Sequence, residues 1–136
     1  MGMYTEFHFN SKLKRNVPPN VIEILKFMVG QTEAKPDLPD HPLFATDRWD
    51  TMLRTDSAYF DADTHSTLRY EEGPKARYVL CIRCNLKNYE GEIEKFVDWI
   101  MPYLSKIPGE FLGFSRYEET EQPTLIFATD AVGEWN

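Results

Sequence analysis

Side chains at Met3, Thr5, Phe7, Phe9, Ser11 and Leu13 face one way, and Tyr4, Glu6, His8, Asn10 and Lys12 the other. That period of two predicts a half-buried strand over residues 3–13. Pro18 and Pro19 suit the first turn of a helix, where a missing N–H costs little. Val21, Ile22, Leu25, Met28 and Val29 then follow helical spacing, and Gly30 suits its C-terminal cap. Strands are predicted at 66–71 and 76–87, joined by a turn at Glu72-Gly73-Pro74-Lys75. Asn88 suits the N-cap of the longest helix, 89–105, in which Ile93, Phe96, Val97, Ile100, Met101 and Leu104 form one apolar stripe. Pro102 should kink or tighten its last turn. Two more strands follow at 110–118 and 124–129.

Residues 31–63 break both periods. Pro36, Pro39 and Pro42 interrupt pairing, and Asp37 and Asp40 favour turns. Yet Leu38, Leu43, Phe44, Trp49, Met52, Leu53, Tyr59 and Phe60 are too many large apolar groups for a disordered linker. The segment is expected to pack on the domain, with Thr46 or Asp47 capping a short helix over roughly 47–54.

This element order predicts a single α+β domain over residues 1–136. The arrangement is a ferredoxin-like split βαβ sandwich: an antiparallel sheet with two helices on one face, an extra C-terminal strand and a long, partly helical insertion at about 31–63. The last two strands are apolar on both faces, with Phe111, Leu112, Phe114 and Tyr117, then Leu125, Ile126 and Phe127. Such a region must be covered twice. Either the 31–63 segment or a second subunit would supply the second cover.

A chain of 136 residues, 42% hydrophobic and 27% charged, can bury a core without a metal or disulfide. Its 15 basic and 22 acidic residues give a net charge of −7. That balance argues against duplex nucleic acid and anionic membrane surfaces, which need clustered cations. The nearest basic patch, Lys12, Lys14 and Arg15, reads as the solvated end of a strand. No apolar stretch approaches the roughly 20 residues of a membrane span, and Met1–Glu6 lacks the pattern of a signal peptide. A cytoplasmic location with reduced thiols is expected.

Candidate chemistry is sparse. Cys81-Ile82-Arg83-Cys84 has redox spacing, but within a strand the two thiols point to opposite faces. Asp61, Asp63 and His65 alternate as metal ligands could, although the expected reading is a polar turn with no metal. His41 lies between Asp40 and Pro42, where a carboxylate could tune an imidazole, but no nucleophile has a recognisable setting. Arg48 and Arg54, with Trp49 and Tyr59, could converge with His41 on an anionic or planar ligand. No glycine-rich phosphate loop is present, and no cofactor is expected. The uncovered face of such a sheet can bind single-stranded RNA through aromatics, but Tyr78–Cys84 lacks the aromatic-rich motif of that mode.

The runs Leu38–Phe44, Asn85–Tyr89 and Gly109–Phe114 together resemble small uncharacterised bacterial or phage-associated proteins. The resemblance implies no activity and carries over no functional residue. Two functional readings stand. One is a non-catalytic binding or interaction module, dimeric through the apolar C-terminal strands, with an unidentified protein or small molecule as partner. The alternative is a small enzyme or small-ligand binder with a pocket between the sheet and the 31–63 segment.

Overall fold

The computed structural model describes residues 3–57 and 63–129. Its elements are β1 (Thr5–Lys12), α1 (Pro19–Met28), β2 (Thr67–Glu71), β3 (Arg77–Leu86), α2 (Glu92–Ile100), β4 (Phe111–Tyr117) and β5 (Thr124–Phe127). The strands form one sheet in the order β2-β3-β1-β4-β5, and every pairing is antiparallel. This α+β architecture is compatible with a ferredoxin-like class, with β5 added outside β4.

Alternation in β1 decides what lies on each side of the sheet. Phe7 and Phe9 are fully buried, opposite Cys84 and Ile82 of β3. Both helices contribute to the same core: Val21, Ile22, Ile24, Leu25 and Met28 from α1, and Ile93, Phe96, Trp99 and Ile100 from α2. Phe96 meets Phe7 and Phe9 edge-on, with ring centroids 6.1 and 6.0 Å away. Edge-to-face contacts of this kind add to the roughly 1.5–3 kcal/mol from burying each ring.

Helix α1 is punctuated as its sequence demands. Pro18 is extended before Pro19 opens the helix. Gly30, at φ +83°, closes it while Gln31 N–H reaches Lys26 O at 2.8 Å and Gly30 N–H reaches Phe27 O at 3.2 Å. This is a Schellman closure, and its left-handed position suits glycine.

Helix α2 is shorter than the expected 89–105. Gly91, at φ +68°, is its cap, and the Asn88 side chain accepts from Ile93 N–H at 2.8 Å. Asn88 therefore caps from outside an extra turn. At the other end Pro102 lies in a 3₁₀ turn, Met101–Tyr103, and Leu104 bridges to Leu13. The tightening expected at this proline ends the helix.

The segment after α1 also differs from expectation. No α-helix forms over 47–54; instead 3₁₀ turns occupy Pro42–Ala45 and Met52–Arg54. The Thr46 hydroxyl donates back to Leu43 O at 2.7 Å, so it closes the first turn and does not open a helix. Leu43, Met52 and Leu53 are fully or almost fully buried, as the apolar content demanded. Phe44 sits at 5.3 Å from Trp99, and Trp49 at 5.8 Å from Phe27, so the segment wedges against both helices. Its far end pads the edge of β3: Asn85 N–H donates to Thr55 O at 3.0 Å, and His65 N–H to Arg83 O at 2.7 Å. Its described residues thus pack against the helices and the edge of β3.

Two substitutions test this packing. Phe96→Ala should lower unfolding free energy by about 3–5 kcal/mol in a denaturant titration; a loss under about 0.5 kcal/mol would contradict the docking of α2. At Gly113 a Cβ would collide with the His8 carbonyl and lie 2.8 Å from Phe9 Cα. Gly113→Ala should therefore force β1 and β4 apart and cost about 1–3 kcal/mol or more, whereas an unchanged midpoint would contradict the pairing.

Candidate functional site

His41 is engaged on both ring nitrogens. Nδ1 accepts from Leu43 N–H at 3.0 Å, so Nε2 carries the proton it donates to Asp98 Oδ2, 2.9 Å away. The imidazole caps a 3₁₀ turn and ties it to α2, a structural task for both nitrogens. Trp49 lies in an aromatic wedge, 5.1 Å from Phe44 and edge-on to it. Arg54 runs under the end of α1: Nη2 donates to Asp50 O at 3.0 Å, and Cδ lies 3.0 Å from where a Cβ on Gly30 would stand. Tyr59 and Asp61 lie outside the described residues.

Of the described candidates, Arg48 lines a cleft beside the sheet. A space of about 310 Å³ opens between the end of the sheet and the 48–55 stretch. Arg48, Met52 and Thr55 form one wall, and Tyr4, Leu86 and Lys87 the other. Glu92, almost fully buried, also lines it and accepts from Glu90 N–H at 3.0 Å through Oε1. The cleft thus holds two cations and one shielded carboxylate, a set suited to orienting a small polar molecule. The sequence reading missed Glu92. The helical spacing 92, 96, 99 could have revealed that it shares a face with Phe96 and Trp99.

The uncovered face of the sheet combines a polar centre with an apolar edge. Glu6 is the hub of the centre. One oxygen meets His8 Nε2 at 3.0 Å, and the other meets Arg116 Nε and Nη2, each at 3.3 Å. His8 stacks on Phe114 with centroids 4.6 Å apart and planes 15° apart. This cross-strand pair follows from the β1–β4 register, which sets His8 opposite Phe114 and Glu6 opposite Arg116. On the far side Glu71 is held below the ordinary carboxylate range by the Arg69 hydrogen bond and by Lys12.

At the β4–β5 edge the face turns apolar. A register shift between Phe111 and Gly113 puts Leu112 in the core and sets Phe111 beside Phe127, ring centroids 5.7 Å apart. Phe111, Leu125 and Phe127 are 54%, 52% and 45% exposed. Ile126 turns the other way and packs on the core.

The two thiols are free and on opposite faces. Cys84 is fully buried, and burial pushes its pKa far up. Cys81 lines a shallow hollow of the uncovered face with His8, Asn10, His65 and Arg83. Of the expected metal candidates, His65 lines that hollow, while the Asp63 carbonyl accepts from Arg83 Nε at 2.8 Å. Among the described residues no three metal-ligating side chains cluster. Among them, too, no helix is long and apolar enough to cross a membrane.

In the native protein a thiol reagent at mildly alkaline pH should modify one cysteine quickly and the other only on unfolding. Cys81→Ser should abolish the fast reaction and Cys84→Ser should leave it; equal rates at both positions would contradict their assignment to opposite faces. No known family, curated protein or solved structure matches this chain.

Proposed function

We propose that the chain is a non-catalytic binding module on a ferredoxin-like sandwich, and that it works as a two-fold dimer joined through the uncovered face of β4 and β5. The observation that carries this reading is the patch of Phe111, Phe114, Leu125 and Phe127. The 31–57 stretch that could have covered it packs between the helices on the other side. A contiguous apolar patch is costly to leave in water and usually marks an interface.

Charge selects the occupant. A protein of net charge −7 opposes its own copy over most of its surface. The four patch residues carry no charge, and the nearby Glu6 carboxylate is neutralised by Arg116. A two-fold axis through the patch would bring uncharged side chains of the two copies together, which is the self-complementarity an isologous interface needs.

The 310 Å³ cleft supports the second reading, a small-ligand binder or small enzyme. There Arg48 and Lys87 would hold an anionic group, and Glu92 a donor. His41, with both ring nitrogens engaged, and Arg54, which does not line the cleft, would take no part.

Light scattering at micromolar concentration should give twice the 15.9 kDa chain mass. Phe127→Asp or Leu125→Asp should return it to one chain with an unchanged circular dichroism spectrum. Ile126→Asp should instead unfold the subunit, because Ile126 packs on the core. A wild-type mass of one chain throughout the micromolar range would contradict the dimer, as would an unaltered mass in Phe127→Asp.

A further inference from the structure

A second cavity lies at the opposite edge of the sheet, between the β1–α1 connection, α1 and the β2–β3 hairpin. It measures about 270 Å³, and its charge runs against that of the chain. Lys14, Arg15, Lys26 and Arg77 line it, with Glu23 as the one carboxylate among its lining residues. Some cations of the chain sit in ion pairs, as Lys12 does with Glu71 and Arg116 with Glu6. Lys14 and Lys26 have no ion-pair partner within 4.0 Å among the described residues. The Arg77 guanidinium is fixed without a carboxylate: Nη1 donates to Ser105 Oγ at 2.7 Å and Nε to Lys75 O at 3.2 Å. A concave site with a local excess of one sign of charge attracts the opposite ion.

The cavity also holds an aromatic wall. Tyr70 and Tyr78 sit opposite each other in the β2–β3 register, with ring centroids 5.0 Å apart and planes 66° apart. Tyr78 packs on the core, and Tyr70 is 53% exposed, so one rigid ring holds a second ring at the rim. The start of α1, at Pro19 and Ile22, completes the floor and adds the positive end of the helix dipole.

We infer that this cavity binds a small phosphate monoester carrying a flat ring, of mononucleotide size. The cations take the phosphate, Arg77 through the N–H groups that its bonds to Ser105 and Lys75 leave over and the lysines as mobile point charges. Tyr70 takes the ring. At about 270 Å³ the volume is close to the lower end of the roughly 300–1,000 Å³ of drug-sized ligand sites, which suits a ligand of mononucleotide size. The site is separate from the β4–β5 patch and does not depend on the dimer.

Isothermal titration of the full chain at low salt with adenosine monophosphate, adenosine and inorganic phosphate tests the inference. The monophosphate should bind one per chain and at least tenfold more tightly than either fragment. The double variant Lys14→Ala Lys26→Ala should weaken it at least tenfold while circular dichroism stays unchanged. Tyr70→Ser should weaken the monophosphate and leave inorganic phosphate unaffected. Phe127→Asp should bind it as the wild type does. No heat from the monophosphate at millimolar concentration would overturn the inference. So would equal affinity in the double-lysine variant, or loss of binding in Phe127→Asp, which would move the ligand to the dimer face.

Discussion

β1 is paired on both sides, and its two faces must meet opposite environments. Phe7 and Phe9 point into the core against Phe96, while Glu6, His8 and Asn10 point to the uncovered side. A slip of one residue in either neighbouring register would exchange these sets. It would bury a carboxylate and an imidazole under α2 and put two phenylalanines in water. The β1–β3 and β1–β4 registers are therefore fixed by the same few side chains. Gly113 adds a second restraint, because its lack of a side chain lets β4 approach the His8 carbonyl.

With those registers set, the surfaces available for binding follow. Glu6 falls opposite Arg116 and His8 opposite Phe114, which closes a neutralised polar centre. Beyond it the register shift in β4 sends Leu112 inward and Phe111 outward. Along the other edge Tyr70 and Tyr78 align across the hairpin beside the cations of α1 and the β1–α1 connection. One sheet thus carries an apolar edge suited to a second copy and a cationic, aromatic notch suited to a small anion. The insertion serves a different need: it fills the groove between the helices with Phe44, Trp49, Met52 and Leu53.

The framework was legible because alternation and helical spacing are strong where one face is buried. β1, α1 and the apolar stripe of α2 read directly from that pattern, as did the opposite orientation of Cys81 and Cys84. The insertion was less legible. Its apolar content announced burial, but Thr46 could equally open a helix or close a turn, and only contact with Leu43 O decides it. Convergence of distant residues was not legible at all. Arg48 lines one cleft with Lys87 and Glu92, whereas His41 bonds Asp98 and Arg54 bonds Asp50 O. Lys14 and Arg15 looked like a solvated strand end because Lys26 and Arg77, far along the chain, complete the notch. The exposed side of β5 was ambiguous by alternation until the register shift in β4 placed Phe111 beside Phe127 and turned Ile126 inward.

The central claim is that the uncovered edge of β4 and β5 is where two copies meet. Isotope-filtered nuclear Overhauser spectra of a sample mixed from labelled and unlabelled chains address it most directly. The account predicts contacts between chains from the Leu125 methyl groups to the rings of Phe111 and Phe127. Absence of any contact between chains, or contacts confined to residues outside this patch, would contradict it.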